Sequence, residues 1–206
     1  MTPAIFILST DAPLPHVFEQ QAADGFVRAV RQDRLRDDDI ASAAALITCV
    51  SVDQDDLIRR SAAIARMLDA GGRLAINGHV LRPYVDGLTA FVPSEEPRRA
   101  DYELSRLAGH PVFDDIDVGA LATNRGVAGF YGRGYNPPLP GAVALNGLGP
   151  RQLPVDWTWT RPQGGALFVH SGNDLWGVGD DPATRELLAE RLVNWCLRRG
   201  NAEKAA

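Results

Sequence analysis

Residues able to do acid, base, nucleophilic or metal chemistry are sparse in this chain, so the few that stand near strand ends define most of what it can do. Four histidines and two cysteines occur in 206 residues. His79 lies just past the apolar run Arg73 to Ile76, and His170 closes the run Ala166 to His170. Both runs read as buried strands, and in open α/β sheets ligands gather at the carboxyl ends of strands. Two imidazoles there could act as acid or base, and with Asp174 they could form a His-His-carboxylate set for a divalent metal. No local spacing, such as two histidines on one helix turn, fixes a metal geometry. The reading is therefore polar side chains around a pocket, with no cofactor and no bound metal. Cys49, at the end of Ala45 to Val50, stands at the same edge, and Cys196 falls on a helical stripe. The plain role of each is a small buried hydrophobe.

The segment Ser171 to Gly177 is rich in turn formers beside Trp176. It reads either as a tight loop with Trp176 covering the core edge, or as a pocket rim. In the second reading Trp176 is a stacking wall and Ser171, Asn173 and Asp174 are hydrogen-bonding groups. Gly129 to Asn136 could present Tyr131, Arg133 and Tyr135 to an anion. Its glycine spacing is not a dinucleotide fingerprint and no helix follows Pro137-Pro138, so a surface loop is the plainer account. His110, before Pro111, reads as a turn residue, and His16 as the start of a helix.

These residues need a scaffold, and the chain supplies a pattern for one. A strand is expected at Ala4 to Leu8, then a helix whose stripe is Val17, Phe18, Phe26, Val27 and Val30, then a strand at Ala45 to Val50. Leu57, Ser61, Ile64, Ala65 and Leu68 share one face of a further helix. Asp53 offers its N-cap, Asp55 and Asp56 suit the positive end of its dipole, and Gly71-Gly72 stops it before the strand Arg73 to Ile76. Strand, helix, Gly-Gly and strand make a crossover in a parallel sheet. Between Leu88 and Pro162, Pro and Gly are frequent, and hairpins or irregular strands at Val127 to Tyr131, Ala142 to Leu145 and Val155 to Thr160 are expected. Trp157 and Trp159 alternate there with Asp156, Thr158 and Thr160, which predicts one apolar and one polar face. A last parallel strand, Ala166 to His170, precedes a closing helix capped at Asp180-Asp181-Pro182. Leu188, Leu192, Trp195 and Cys196 form its buried stripe, and the tail from about 200 is expected to fray.

Composition narrows the classes. Lys+Arg of 21 against Asp+Glu of 26 leaves a net charge of −5, which argues against a general nucleic-acid binder. Two distant cysteines cannot build a disulfide framework or a zinc ribbon. No apolar run reaches the roughly 18 residues a membrane span needs, and the N-terminal MTPAIFILSTDAPLP lacks the charged start of a signal peptide. A cytoplasmic, non-membrane protein folding as one domain over 1–206 is expected.

The segments ALITCVSVDQDDL, GGRLAINGHV, GHPVFDDID and GGALFVHSGNDLW, in that order and ahead of a terminal helix, resemble the class I glutamine amidotransferase-like superfamily, with its trehalose-utilisation-like and cysteine-peptidase-like relatives. The resemblance implies a flavodoxin-like α/β fold, a central mostly parallel sheet between helices. In active members a cysteine sits on a sharp turn after the strand that follows the Gly-Gly turn. The matching position here is Asn77, with Gly78 and His79 beside it, and an amide cannot be that nucleophile. His170 matches the family's catalytic histidine, while the acidic residue expected two places on is Gly172. The resemblance therefore implies a scaffold with its histidine kept and its nucleophile absent.

A non-catalytic member that binds a small polar molecule or a protein partner at the carboxyl edge is the first expectation, with Asn77, Gly78, Cys49, Ser171, Asn173, Asp174 and Trp176 around the ligand. A hydrolase or isomerase using His170 with His79 or a metal is the alternative. A structural or assembly component, homo-oligomeric through a Trp157/Trp159 hairpin, is the third.

Overall fold

Strand alternation sets the two layers of the core. Ala4 and Phe6 pack on one face of the sheet while Ile5 and Ile7 pack on the other, and Phe168 and the pair Leu167/Val169 divide in the same way. The structure is a computed structural model that describes residues 2–95 and 97–199. The expected fraying from about 200 lies outside the described residues.

Eight strands form the central sheet: β1 (Ala4–Leu8), β2 (Val27–Arg31), β3 (Ala45–Ile47), β4 (Arg73–Asn77), β5 (Leu104–Arg106), β6 (Val143–Leu148), β7 (Leu153–Thr160) and β8 (Ala166–His170). Their order is β2-β1-β3-β4-β8-β7-β6-β5. The first five in that order run parallel, and β7, β6 and β5 are added antiparallel. This is a flavodoxin-like α/β architecture with an antiparallel extension, as the sequence implied. Two short ribbons, Val92–Pro93 with Gly134–Tyr135 and Thr123–Asn124 with Val127–Ala128, decorate the irregular segment. No helix among the described residues is long and apolar enough to cross a membrane.

The helix expected across Val17 to Val30 is instead a 3-10 turn at His16–Phe18, a short α1 (Glu19–Ala23) and then β2. Gly25, at φ +74°, ends the helical path, and Val27 to Arg31 pair with β1. The acidic run Asp37-Asp38-Asp39 opens α2 (Asp37–Ser42). The face from Leu57 to Leu68 is carried by two pieces, α3 (Gln54–Arg59) and α4 (Ser61–Asp69), with Arg60 out of helical geometry between them. Asp53 caps α3 by accepting from the backbone N–H of Asp55 and Asp56. Gly71, at φ +90°, turns the chain into β4. The closing helix α5 (Pro182–Cys196) is capped by Asp181 and buries Leu188, Leu192, Trp195 and Cys196.

β7 departs from its expected two-faced pattern. It lies between β8 and β6, so Asp156 is as buried as Trp157. Trp157 donates its indole N–H to the Asn136 carbonyl at 2.9 Å inside the core. Trp157 is therefore withdrawn from the hairpin surface expected at Trp157/Trp159, while Trp159 stays partly exposed. The strand expected at Val127 to Tyr131 shrinks to Val127–Ala128, and Tyr131 points into the core.

Candidate functional site

Three side chains stand in a row at the carboxyl edge of the sheet. Asp156 on β7 is in register with His170 on β8, and His170 with Asn77 on β4. His170 follows Phe168 by two residues and Asn77 follows Ala75 by two, so both project to the face that packs under α5.

Asp156 is the acceptor at the centre of a buried network. Its Oδ1 lies 2.6 Å from His170 Nδ1, and its Oδ2 accepts from the Tyr131 hydroxyl at 2.5 Å and from Asn146 Nδ2 at 2.8 Å. Burial, and then the Asp156 charge, pushes the Tyr131 phenol well above its ordinary value. His170 Nε2 lies 2.6 Å from the Asn173 carbonyl. Both ring nitrogens are thus engaged, and the side chain is fully buried. His170, expected as an acid or base, presents no free nitrogen to a ligand in this arrangement.

Asn77 is a cross-link. Its Oδ1 accepts from the Leu175 N–H at 3.2 Å, its Nδ2 donates to the Thr48 carbonyl at 3.1 Å, and its own N–H donates to Thr48 Oγ1 at 3.2 Å. The left-handed turn after β4 belongs to Gly78, at φ +107°. A Cβ at Gly78 would meet Val50 Cα at 2.8 Å, so the β3 and β4 turns touch backbone to backbone there. The expectation that Asn77 and Gly78 line a ligand meets residues already committed to packing.

The other expected site residues divide. Trp176 is buried against Phe6 and Phe18, with ring centroids 5.2 and 5.0 Å away, so it is a core residue and not a stacking wall. Ser171 is fully buried, and its hydroxyl accepts from the Asn136 N–H. Asp174 accepts from the Val50 N–H at 2.7 Å, and burial raises its carboxyl above the ordinary range. Cys49 is buried with its thiol 3.6 Å from the Ile7 carbonyl and 3.3 Å from Ser51 Oγ. Among the described residues, no group of three or more His, Cys, Asp or Glu is arranged to hold a metal ion, so His79, His170 and Asp174 do not converge as ligands.

His79 and Asn173 do meet, around a cleft of about 260 Å³ lined also by Gly129, Phe130, Gly132 and Arg133. The His79 ring stacks on Phe91 at 4.0 Å between centroids. Burial, with a smaller contribution from nearby His170, lowers its pKa below the ordinary value, so the neutral ring is favoured. Asn173 Nδ2 donates to the Phe130 carbonyl at 2.7 Å and Arg133 Nε to the Gly129 carbonyl at 3.2 Å. The cleft and the buried network are neighbours, because Asn173 belongs to both.

Sequence reasoning missed Asp156, Tyr131 and Asn146 as a unit. Asp156 alternates with the tryptophans as Thr158 and Thr160 do, so its sequence pattern marks a polar face and not a buried acceptor. Asn136, whose amide side chain accepts from the Val80 N–H and donates to the Val80 and Thr89 carbonyls, had no signal either.

No protein-family model matches the sequence, and neither does any curated protein. Solved structures are similar at the level of fold. A candidate GMP synthase component from Thermoplasma acidophilum superposes with a TM-score of 0.59 at 9% identity, covering 96% of each chain. The N-terminal domain of mmIFT52 superposes with a TM-score of 0.51 at 12% identity, covering 97% of this chain and 99% of that one. The protein therefore shares the α/β, flavodoxin-like fold of these structures.

Proposed function

We propose that this chain is a non-catalytic member of the amidotransferase-like superfamily that binds a small polar ligand at the carboxyl edge of its sheet, in the cleft of His79, Phe130, Arg133 and Asn173. The observation that carries the reading is the role of Asn77. At the position of the superfamily's nucleophile stands an amide whose side-chain oxygen and nitrogen are both spent tying β4 to Thr48 and Leu175. A nucleophile needs an exposed, activated atom, and the histidine that would serve it is fixed between Asp156 and Asn173. What remains open at the edge is the cleft, where half-buried His79 and Asn173 and exposed Arg133 stand beside glycine backbone.

Two measurements test the proposal. Ammonia release from glutamine by the wild-type protein is expected to equal that of His170→Ala; a rate above that control would overturn the non-catalytic reading. Amide chemical shifts under a panel of small sugars, amino acids and organic acids should change at His79, Phe130 and Asn173 for at least one compound at millimolar concentration. A panel that moves none of them counts against the cleft.

A further inference from the structure

The cleft, like the neighbouring recess of Arg125 and Arg185, is lined by arginine without any carboxylate. The chain carries a net −5, yet no Asp or Glu lines this cleft and Arg133 is its one formally charged lining residue. By contrast, the hollow between Asp115 and Leu187 is lined by Asp115, Asp117, Asp180 and Asp181. Arg133 forms no ion pair among the described residues. Its Nε is held by the Gly129 carbonyl, which orients the guanidinium, and among the described residues its two terminal amino groups make no hydrogen bond. His79 is held by its stack on Phe91 and brings ring N–H donor capacity to the same space.

From this geometry we infer that the ligand carries a small oxyanion, a carboxylate or phosphate group, paired with Arg133 and hydrogen-bonded by His79. The inference rests on the proposal that the cleft is a ligand site and adds the ligand's chemical class. A planar guanidinium with two terminal amines matches the two oxygens of such a group. On an acidic molecule, a cationic recess without a carboxylate repels an anion less than one lined by aspartates. At about 260 Å³ the recess is below the common range for drug-sized ligands, so the molecule is a small acid and not a nucleotide.

The test is an amide-shift titration of the full chain at constant ionic strength balanced with sodium chloride, using inorganic phosphate, acetate and, as a neutral probe, acetamide. Saturable shifts at His79, Gly129 to Arg133 and Asn173 are expected with phosphate or acetate, and which of the two binds tighter identifies the source of the oxyanion. Arg133 is exposed, so Arg133→Gln should keep the fold while weakening binding about tenfold, with Arg133→Lys in between. Equal affinity in Arg133→Gln, or no saturable shift with either anion, overturns the oxyanion assignment. If acetamide alone moves the cleft, the ligand-site reading stands and the anion inference falls; if nothing moves it, both fall.

Discussion

At Asn77, one amide joins three pieces of chain. Leu175 and Thr48 are both buried, so the N–H and C=O that Asn77 satisfies have no water to turn to. Asn77→Cys would place a thiol at the position where the proposed function expects none and remove both bonds. Each orphaned buried group costs about 1–3 kcal/mol, so a loss of roughly 2–6 kcal/mol is expected in urea denaturation. Ammonia release from glutamine should stay at the wild-type level, because His170 remains occupied by Asp156 and Asn173. A stable Asn77→Cys protein that releases ammonia would show that the amide is a replaceable filler. The same logic applies to Asp156, whose three donors come from three segments of chain. A buried carboxyl group with that many partners is structural in the sense that removing any one donor leaves a buried oxygen short of a hydrogen bond.

Strands and turns put those residues within reach, and the close contact of two loops is what closes the network. Gly132 and Gly172 form an isolated antiparallel bridge that brings the loop after Phe130 against the loop after His170. A Cβ at Gly172 would sit 1.7 Å from the Tyr131 carbonyl and 2.8 Å from His170 Nε2. Gly172→Ala must therefore separate the loops, and a loss above about 4 kcal/mol is expected, in the range reserved for core disruption. Gly177→Ala, where a Cβ meets nothing within 4 Å, should stay within about 0.5 kcal/mol. Similar stabilities for the two variants by urea denaturation would refute the role given to the bridge. Element by element, β1, β3, β4 and β8 are legible because buried parallel strands read as plain apolar runs bounded by turn residues. The segment Val17 to Val30 misleads because a few spaced apolar residues fit a short helix and a strand equally well. Of the site, His170 is legible from its place at a strand end. Asp156 is not, since alternation with tryptophans marks a solvent face unless the strand is known to be covered on both sides. The Arg133 loop and its partner His79 are far apart in sequence, and only the fold brings them to one cleft.

For the whole molecule, burial of ionisable groups predicts how stability depends on pH. His110 is buried against Phe168 and Trp195, and its Nδ1 accepts from the Val112 N–H. Burial pushes its pKa down from 6.5 to about 4. Between those values the unfolded chain holds a proton that the folded chain refuses, so stability rises with pH. The contribution is complete above pH 6.5 and is lost as pH falls towards 4, on the order of 3 kcal/mol at 1.36 kcal/mol per unit. His79, lowered by burial, acts in the same direction. Asp174, whose carboxyl is raised by burial, acts in the opposite direction: its folded form takes up a proton first as pH falls, which partly offsets the histidines in acid. His110→Asn keeps an acceptor for Val112 and removes the titration. Urea denaturation from pH 7 to pH 4.5 should therefore show a steep loss of stability in the wild type and a flatter one in His110→Asn. Parallel curves for the two proteins would mean that His110 takes up its proton without leaving its cap, and that the acid sensitivity of the fold lies elsewhere.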